Sequence, residues 1–518
     1  MNQAIHAGQP GRGPTYRELI RRGAAQHGER IAVEFGEQQM SFREVDELSS
    51  RIAHALLDIA AQRTRIGILL NNSLLSVPMD FGTVKAGMNR VPLNARLSLH
   101  EHRRMLEDTG CRHLFFGQDL AERASALQKE MPELNCFGVG VTLDNAPDLL
   151  ELARHRDVLA PDITILPDDV VLTLFTSGTT GTLKAAMHTH ASYAAICRNV
   201  LLNLLPATQD DAMLHAASLI HASGVFVLPL WLRGGRTVIL PGFEPAQFLQ
   251  AIADHRVTAI NLVPTMIQML LDDPHVTRAD VASLKYVIYG ASPMPRPVIE
   301  RAMALWGQHR FWQYYGQTEV PLCLAVLRPE HHTEATLDAC GQPAVDVEIR
   351  LVDEAGNDVP AGTPGEITVR APSAVAGYHD AAALTGETFV GDGWVRTRDI
   401  GVFDEKGFLR LKDRTSDMVI SGGYNVYPSE VENVLMTHPS VLECAVIGLP
   451  DPKWVEIVAA VVVLRNEQCV SEQALIDHVA QRLASYKRPR RIFFADSIPK
   501  TAVGKLNRKA VRTRYRSA

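Results

Sequence analysis

The segment Thr176-Ser177-Gly178-Thr179-Thr180-Gly181-Thr182-Leu183-Lys184 follows directly on the apolar run Val170–Phe175. Two glycines let its backbone turn tightly and approach a ligand closely. Its hydroxyls, its backbone N–H groups and the Lys184 ammonium can surround a polyphosphate. The spacing Gly-x-x-Gly-x-x-Lys is not that of a Walker loop, which has four residues between its glycines. The segment predicts a phosphate site at the end of a strand, and a flexible Ser/Thr/Gly surface loop is the alternative.

Short β-branched runs alternate with amphipathic stretches on both sides of this segment. The predicted strands are Ile66–Leu70, Arg112–Phe116, Val170–Phe175, Arg236–Leu240, Ala259–Val263 and Tyr286–Tyr289. The predicted helices are Phe42–Ile59, Ser98–Asp108, Ser192–Leu205 and Ala246–His255. Strands that alternate with helices favour parallel sheets covered on both faces.

The pattern changes after Cys340, where short strands separated by turn pairs indicate an antiparallel, hairpin-rich section. These strands are Asp346–Val352, Gly365–Arg370, Trp394–Arg396 and Phe408–Leu411. A final unit of helix, two strands and helix is predicted at Pro428–Thr437, Val441–Ile447, Ile457–Leu464 and Glu472–Leu483. The polar stretch Asp413–Asp417 is the predicted boundary between a domain of residues 1–415 and a smaller one of residues 416–518.

Composition narrows the class of protein. A chain of 518 residues favours more than one domain. Hydrophobic residues make up 46% and charged residues 21%, which excludes wholesale disorder. With 52 Lys and Arg against 58 Asp and Glu, the net charge of −6 does not favour a dedicated nucleic-acid binder.

Cysteine spacing and hydropathy bear on location. The seven cysteines are scattered without a CxxC pair, so we expect neither a disulfide framework nor a zinc knuckle, and a reducing cytoplasm fits. Residues 1–30 lack an apolar stretch of signal-peptide length. The longest apolar run, Val225–Leu232, is shorter than the ~20 residues that span a bilayer. We therefore expect a cytoplasmic protein without a transmembrane segment.

Three further motifs follow the loop in order. They are Tyr315-Gly316-Gln317-Thr318-Glu319, Asp413-Arg414 with Gly422-Gly423-Tyr424-Asn425, and Pro499-Lys500-Thr501-Ala502-Val503-Gly504-Lys505. The set resembles the adenylate-forming superfamily of acyl- and aryl-CoA ligases, carrier-loading adenylation domains and luciferases. The resemblance covers essentially the whole chain. It implies an α/β fold in which a large N-terminal domain, with two parallel-type sheets, helices and a small β-barrel-like section, is followed by a small mobile α+β domain.

The resemblance implies an ATP site built from these motifs. Attack of a carboxylate on the α-phosphorus brings two anions together, so the site must neutralise charge and fix geometry. Glu319 is expected to hold Mg²⁺, Thr318 to donate to the α-phosphate, and Asp399 and Arg414 to contact the ribose. The Tyr315 ring is expected on the adenine, with core packing as the alternative. The other nucleotide-binding residues implied are Thr176, Ser177, Gly178, Thr179, Thr180, Gly181, Lys184, Gly290, Ala291, Ser292 and Gly316.

Lys505 resembles the family's adenylation lysine. A compact ammonium on a mobile domain can be delivered to the reacting groups and then withdrawn. Ser416 stands at the hinge, where relatives carry Asp or Lys, and the two half-reactions imply a rotation there. From Lys487 to the end there are eleven Lys and Arg and one acidic residue, which favours steering of ATP and CoA, with a nucleic-acid patch as the rival.

Similarity to the halobenzoate–CoA ligases implies coenzyme A as the acceptor. Arg96 and Arg488 match residues that hold the CoA nucleotide phosphates, and Trp454 and Tyr486 match aromatic residues that contact its adenine. Two arginines and two aromatic rings can clamp a phosphorylated adenine by bidentate pairing and stacking. Gly422 and Gly423 are expected to border the pantetheine channel, where missing side chains leave room.

The acyl pocket is predicted by position in the family. The residues implied are His221, Ala222, Ser223, Gly224, Asn261, Tyr314 and Val320. His221 matches a gate between this pocket and ATP, and an ordinary packed histidine is the alternative. The mixture of small, aromatic and polar residues suits a compact aromatic or short- to medium-chain acid rather than a very long chain.

Several residues depart from the family pattern, among them Leu183 for Pro, Arg398 for Gly and Val455 for Gly. None of these changes removes a charged catalytic group. We expect an AMP-forming acid–CoA ligase of fatty-acid or aromatic-acid metabolism, a monomer or homodimer with no nucleic-acid partner. It would convert a carboxylic acid and ATP to acyl-AMP and pyrophosphate, and then acyl-AMP and CoA to acyl-CoA and AMP. The alternatives are an acyl-AMP ligase that loads a carrier protein and a non-catalytic adenylate-binding relative.

Overall fold

The alternation of helices and strands seen in the sequence is present in the computed structural model, which describes residues 13–177, 183–219, 222–414, 417–421, 424–451, 454–465, 470–501 and 506–516. Its α-helices are α1 (Tyr16–His27), α2 (Phe42–Ile59), α3 (Ser76–Lys85), α4 (Leu99–Asp108), α5 (Ala121–Glu130), α6 (Leu149–Ala153), α7 (His190–Asn203), α8 (Val227–Arg233), α9 (Pro245–Asp254), α10 (Pro264–Asp272), α11 (Arg296–Trp306), α12 (Ala382–Thr388), α13 (Pro428–Leu435), α14 (Glu472–Ala480) and α15 (Arg508–Tyr515).

The strands of the first 352 residues are β1 (Ile31–Phe35), β2 (Gln38–Ser41), β3 (Arg65–Leu69), β4 (Asn89–Pro92), β5 (His113–Gly117), β6 (Asn135–Val139), β7 (Val170–Ser177), β8 (Leu183–Thr189), β9 (Ala212–His215), β10 (Arg236–Ile239), β11 (Ala259–Leu262), β12 (Tyr286–Gly290), β13 (Phe311–Gln317), β14 (Val320–Leu327), β15 (Gln342–Pro343) and β16 (Glu348–Val352). Those that follow are β17 (Gly365–Arg370), β18 (Phe389–Val390), β19 (Trp394–Phe403), β20 (Leu409–Arg414), β21 (Val419–Ser421), β22 (Tyr424–Val426), β23 (Val441–Asp451), β24 (Val455–Leu464) and β25 (Arg491–Phe494).

Two mainly parallel sheets form the larger part of the chain. One has six strands in the order β6-β5-β3-β4-β7-β8, and only the β7–β8 pair is antiparallel among its described pairings. The other has nine strands in the order β15-β14-β13-β12-β11-β9-β10-β1-β2, with parallel pairing from β13 to β1. Helices connect the parallel strands, as such sheets require.

Antiparallel pairing dominates after Pro343. A five-stranded sheet contains β16, β17, β19 and β18, with β20 paired to the later part of β19, and it forms the section predicted to be barrel-like. A second five-stranded sheet, β22-β21-β24-β23 with β25 parallel to β24, belongs to the smaller C-terminal α+β domain. The predicted fold class is therefore confirmed. The predicted domain boundary falls at residues 415 and 416, which lie outside the described residues.

Local sequence signals explain the helix starts. Before α2, the Ser41 side chain accepts from the backbone N–H of Glu44, whose carboxylate accepts from Ser41 N at 2.7 Å. This capping box satisfies two donors that the helix cannot pair internally. The helix then buries Phe42 and Val45 in the largest core, which contains residues of both parallel sheets, and Ile52 and Leu56 in a second core.

Aromatic residues fill the part of this core where α1, α2, α3 and α8 meet. The Trp231 ring lies 4.4 Å from that of Phe42 and 4.9 Å from that of Phe81, and its Nε1 donates to Ile20 O at 2.7 Å. Large rings bury much apolar area, and the indole N–H has the partner it needs when buried. Among the described residues, every helix is too short or too polar to traverse a lipid bilayer.

Candidate active site

The phosphate-loop segment connects two antiparallel strands of the six-stranded sheet. Residues 178–182 lie outside the described residues, but Thr176 of β7 pairs with Lys184 of β8 across the base of the connection. The Lys184 Nζ lies 5.7 Å from the centroid of the Tyr378 ring, a cation–π contact. A lysine ammonium is thus held beside the loop.

Tyr378 joins Lys184 to the Glu319 motif. Its hydroxyl donates to Glu319 Oε1 at 2.5 Å. Burial raises the pKa of Tyr378, and the Glu319 charge raises it further, so the phenol keeps its proton. Sequence reasoning missed this residue, because a tyrosine after a glycine carries no charge signal and its partner lies far away in the chain.

The segment Val375–His379 fixes this arrangement through its backbone. Val375 N donates to Glu319 O at 2.9 Å, and Ala376 N donates to Met187 O at 2.8 Å. Met187 N donates to Gly377 O at 2.9 Å, and His379 N donates to Ala185 O at 2.8 Å. The segment therefore runs along the outer edge of β8 and carries Tyr378 between Lys184 and Glu319.

The predicted metal residue, Glu319, is a half-buried carboxylate. Among the described residues, no group of three or more His, Cys, Asp and Glu side chains could hold a metal ion. Mg²⁺ bound with a nucleotide commonly takes only one or two carboxylates and completes its coordination with phosphate oxygens and water. A single hard oxygen ligand beside a phosphate loop fits that mode.

The predicted adenine and ribose residues lie in contact. The Tyr315 hydroxyl donates to Asp399 Oδ2 at 2.6 Å, and both residues are buried. Burial and then the Asp399 charge hold the pKa of Tyr315 well above its usual value. In the antiparallel register of β19 and β20, the backbone of Arg414 stands opposite that of Asp399. The Tyr315 ring belongs to the largest core cluster, so its predicted contact with adenine stays a prediction.

Three residues near the predicted site have left-handed backbone conformations without being glycine. Ala291 has a φ of 67°, Leu322 a φ of 59° and Arg398 a φ of 64°. Each such conformation costs roughly 1–2 kcal/mol in an L-residue, and strain of this kind clusters at functional sites. The family pattern described above implies Gly at the position of Arg398, and the positive φ of Arg398 is a conformation for which glycine is suited.

A cavity of about 190 Å³ opens beside Thr318. Its wall is mainly apolar and comes from β3, β4, β7, α3 and α7. Gly316, Thr318 and Ala291 of the predicted nucleotide site line it, and so do Gly224 and Tyr314 of the predicted acyl pocket. The cavity therefore joins the two predicted sites.

Three other predicted acyl-pocket residues, Ser223, Asn261 and Val320, do not line this cavity. Asn261 hydrogen-bonds the Tyr314 side chain, and Ser223 Oγ lies 2.8 Å from His215 Nδ1. Val320 is buried in the largest core cluster. His221 and the side chain of Ala222 lie outside the described residues.

The cavity wall also contains polar residues that sequence reasoning missed, Asp80, Arg90 and His188. Arg90 lies within the fully buried strand β4, whose sequence Asn89-Arg90-Val91-Pro92 gives no sign of that burial. His188 lies two residues before α7 on β8.

The residues predicted to bind CoA lie on both domains. Arg96 is exposed after β4, while Arg488 is exposed and Tyr486 half-buried in the C-terminal domain. The Arg490 guanidinium lies 4.4 Å from the centroid of the Trp454 ring, a pairing that sequence reasoning missed.

Four further predicted residues, Ser416, Gly422, Gly423 and Lys505, lie outside the described residues. Lys500 and Leu506, which flank Lys505 in sequence, form an antiparallel β-bridge. Asn507 N donates to Pro499 O at 2.9 Å just beyond it.

Comparison with known proteins agrees with this geometry. The AMP-binding enzyme family matches residues 20–379, and the AMP-binding enzyme C-terminal domain matches residues 430–505. Medium/long-chain-fatty-acid–CoA ligase FadD8 of Mycobacterium tuberculosis is 34% identical, over 90% of this chain and 85% of that protein. A feruloyl-CoA synthase of an Amycolatopsis species is 34% identical, over 93% of this chain and 96% of that protein.

A solved structure shows the same similarity. The amide bond synthetase McbA of Marinactinospora thermotolerans is 28% identical with a TM-score of 0.89, over 96% of this chain and 100% of that chain. The named activities of these three proteins differ in their acid or their acceptor, while the family match spans both parts of the chain. The chain therefore belongs to the AMP-binding enzyme family.

Proposed function

We propose that this protein is an AMP-forming acid–CoA ligase acting on an aromatic or short- to medium-chain acid. The observation that carries the proposal is the grouping of Lys184, Tyr378 and Glu319 beside a cavity lined by Thr318. Two relatives that are matched over 85% and 96% of their own length are a fatty-acid–CoA ligase and a feruloyl-CoA synthase, which supports this proposal. The scattered cysteines are free and buried where described, which supports a cytoplasmic enzyme.

In the first half-reaction, the carboxylate oxygen of the acid attacks the α-phosphorus of ATP and pyrophosphate leaves. Lys184 supplies positive charge beside the phosphate loop, and Thr318 supplies a hydroxyl at the mouth of the cavity. Mg²⁺ held by Glu319 would neutralise phosphate charge. Tyr378 keeps the Glu319 carboxylate oriented by donating to Oε1. Lys505 would stabilise the charge that develops between carboxylate and α-phosphate.

In the second half-reaction, the CoA thiol sulfur attacks the acyl carbon and AMP leaves. Trp454, already stacked with Arg490, offers an aromatic face to the CoA adenine. Arg96, Arg488 and Tyr486 would complete the nucleotide clamp. Since these residues come from both domains, a hinge at Ser416 would bring them together only in this step. We infer a monomer or homodimer, because each chain carries all the residues named.

The test of the function is pyrophosphate release with ATP and Mg²⁺ across a panel of benzoates, phenylpropanoids and fatty acids, each with and without CoA. We expect release that depends on the acid and accelerates with CoA, together with thioester detected by mass. Release that CoA does not change, without thioester, would assign another acceptor such as a carrier protein or an amine. No release with any acid would contradict the proposal.

Lys505→Ala should abolish adenylation while leaving thioester formation from supplied acyl-AMP largely intact, because the lysine acts only in the first half-reaction. The two rates are measured separately, by pyrophosphate release and by thioester formation. Lys500→Ala is the matched control, since Lys500 belongs to the same sequence motif and its Nζ lies 3.1 Å from Glu443 Oε1. Normal adenylation by Lys505→Ala would contradict the role given to this lysine.

Trp454→Ala should raise the KM for CoA roughly tenfold, since loss of one base–aromatic stack costs about 1–3 kcal/mol. The rate of pyrophosphate release without CoA should not change. Phe494→Ala is the control, because Phe494 is an exposed ring of the same domain. An unchanged KM for CoA in Trp454→Ala would remove this residue from the clamp.

A further inference from the structure

The predicted α-phosphate and Mg²⁺ residues, Thr318 and Glu319, form the tip of one hairpin. They connect β13 to β14, and Gln317 pairs with Val320 in the antiparallel register of the two strands. The hairpin belongs to the nine-stranded sheet. A two-residue connection has little freedom of its own, so the contacts that hold its tip decide where both functional groups point.

Glu319 is anchored to the edge of the six-stranded sheet. Val375 N donates to Glu319 O at 2.9 Å, and the Tyr378 hydroxyl donates to the Glu319 carboxylate. Both donors belong to the segment Val375–His379, whose backbone is hydrogen-bonded to β8. The backbone and the side chain of Glu319 are therefore both held from the other sheet.

Thr318 has an anchor of its own on β8, the side chain of His188. The His188 ring is hydrogen-bonded to the backbone of Thr318, and this bond raises the pKa of His188. A bond has that effect when the ring donates, so the acceptor is the Thr318 carbonyl. His188 Nδ1 has no partner among the described residues, which makes Nε2 the donor.

The surroundings of His188 keep its ring in the state that this bond needs. Burial followed by the Arg90 charge lowers the pKa of His188 to about 3, so the ring is neutral at pH 7. A neutral imidazole carries one proton, and here Nε2 carries it toward Thr318. The bond therefore does not depend on pH in the range where enzymes of neutral compartments work.

Arg90 is itself fixed in a buried cluster. Its Nε lies 2.9 Å from Asp80 Oδ1, and the Tyr16 hydroxyl donates to Asp80 Oδ2 at 2.8 Å. The Arg90 guanidinium lies 5.3 Å from the centroid of the Tyr193 ring. The Tyr193 ring in turn packs edge-on against that of His188, with 6.4 Å between their centroids. The imidazole is thus packed in place as well as kept neutral.

The bond has a consequence for the anions that react beside it. His188 and Thr318 both line the cavity, next to the place where the carboxylate of the acid would meet the triphosphate. The carbonyl oxygen is the negative end of a peptide dipole, and without its donor it could turn toward these anions and repel them. Holding the carbonyl also holds the peptide plane, which sets the direction of the Thr318 side chain.

We propose that His188 is a positioning residue of the first half-reaction, whose Nε2–H fixes the Thr318 peptide and so directs the Thr318 hydroxyl to the α-phosphate. This inference rests on the proposed ligase function. His188 belongs to neither the phosphate loop nor the Tyr315–Glu319 motif. It acts through Thr318, so the reaction needs a hydrogen-bond donor at this place and not a charge or a base.

Three variants separate the donor from the bulk of the side chain. His188→Gln presents an amide N–H at about the reach of Nε2, His188→Asn presents one closer to the backbone, and His188→Leu has none. One hydrogen bond corresponds to about tenfold in rate, so adenylation should slow about tenfold in the Leu and Asn variants. The Gln variant should stay within about twofold of the wild type. The KM for the acid should change less than the rate in all three.

The rate constant is measured in single turnovers of labelled ATP with saturating enzyme, using the acid of the panel that gives the fastest release. At saturation it does not depend on how much of the preparation is folded. His190→Leu is the matched control, since His190 is a fully buried histidine two residues away that does not line the cavity. Its rate constant should equal that of the wild type.

The outcomes separate this inference from the proposed function. A wild-type rate constant in His188→Leu overturns the inference while the ligase stands. Equal losses in the Leu, Asn and Gln variants also overturn it, because the donor would then not be what matters. So does an effect confined to the KM for the acid, which would make His188 a wall of the acid site. If the wild type releases pyrophosphate with no acid, the ligase function fails and the inference fails with it.

Discussion

Tyr378 shows how one neutral side chain can organise two charged ones. The Lys184 ammonium lies over its ring, and its hydroxyl donates a hydrogen bond to Glu319. Its backbone forms a β-bridge with Ala186 of β8. Without this residue, the lysine and the carboxylate could attract each other directly and withdraw from the phosphates. Tyr378 is therefore a positioning residue for both.

Tyr378→Phe keeps the ring beneath Lys184 and removes only the bond to Glu319. Hydrogen bonds to charged groups contribute about 1.5–3 kcal/mol, so we expect adenylation to slow about tenfold or more. The Mg²⁺ concentration for half-maximal rate should rise, which a purely structural role would not cause. Tyr286→Phe is the control, because Tyr286 begins β12 and its ring contacts that of Trp312. An unchanged rate and Mg²⁺ dependence would contradict the positioning role.

Sequence reasoning identified residues that carry charge within ordered motifs, such as Lys184, Glu319 and Asp399. It missed Tyr378, Arg90 and His188, whose functions depend on partners brought together by tertiary structure. Tyr378 and Glu319 are 59 residues apart, and Arg90 contacts Tyr16 through packing of α1. No local spacing encodes such contacts, so only a structure could reveal them.

At the scale of elements, strand starts and helix starts were predictable and strand lengths less so. The helix Phe42–Ile59 has the predicted bounds, because a capping box marks its start. The predicted strand Trp394–Arg396 is instead Trp394–Phe403, since β19 pairs with β17, β18 and β20. Pairing on two sides stabilises residues whose own sequence gives no strand signal, as at Arg398 with its positive φ.

The segment Val375–His379 acts as an added strand on the edge of β8. Gly377 has a φ of +138°, and an added Cβ would lie 2.9 Å from Thr385 Cγ2. Only glycine adopts this conformation without strain, and the segment needs it to present Tyr378 to Glu319. The backbone at Gly377 therefore determines the side-chain geometry at the candidate site.

Gly377→Ala should shift this segment and slow adenylation about tenfold, as Tyr378→Phe does, while costing on the order of 1–3 kcal/mol of stability. Pyrophosphate release and thermal denaturation measure the two effects. Gly362→Ala is the control for backbone strain alone. Gly362 also has a positive φ, of +80°, but an added Cβ there meets no atom within 4 Å. Should both variants adenylate at the same rate, the segment would have no part in catalysis.

At the scale of the whole molecule, buried histidines link stability to pH. Burial lowers the pKa of His188, His190 and His215 to about 3 and that of His332 to about 4. The unfolded chain has histidines of pKa about 6.5. Below pH 6.5 these histidines bind protons in the unfolded state and stay neutral in the folded state. The free energy of unfolding therefore falls as the pH falls.

We therefore expect the free energy of unfolding to decrease from pH 6.5 downward, before the carboxylates titrate. Each of the four histidines contributes up to about 1.4 kcal/mol per pH unit over this range. Urea denaturation at pH 7.5, 6.5, 5.5 and 5.0 measures the change. A denaturation midpoint that stays constant from pH 6.5 to 5.0 would show that these histidines are protonated in the folded state.

The cluster of Tyr16, Asp80 and Arg90 lies in a part of the chain that precedes every nucleotide motif. The cavity wall nevertheless joins this early segment to residues that follow Thr176, since His188 and Tyr193 line it as well. A change of acid during evolution therefore requires matched substitutions on both sides of Thr176. Chimaeras joined between residues 95 and 170 should combine two unmatched halves of the wall and lose acid activation rather than exchange one acid for another.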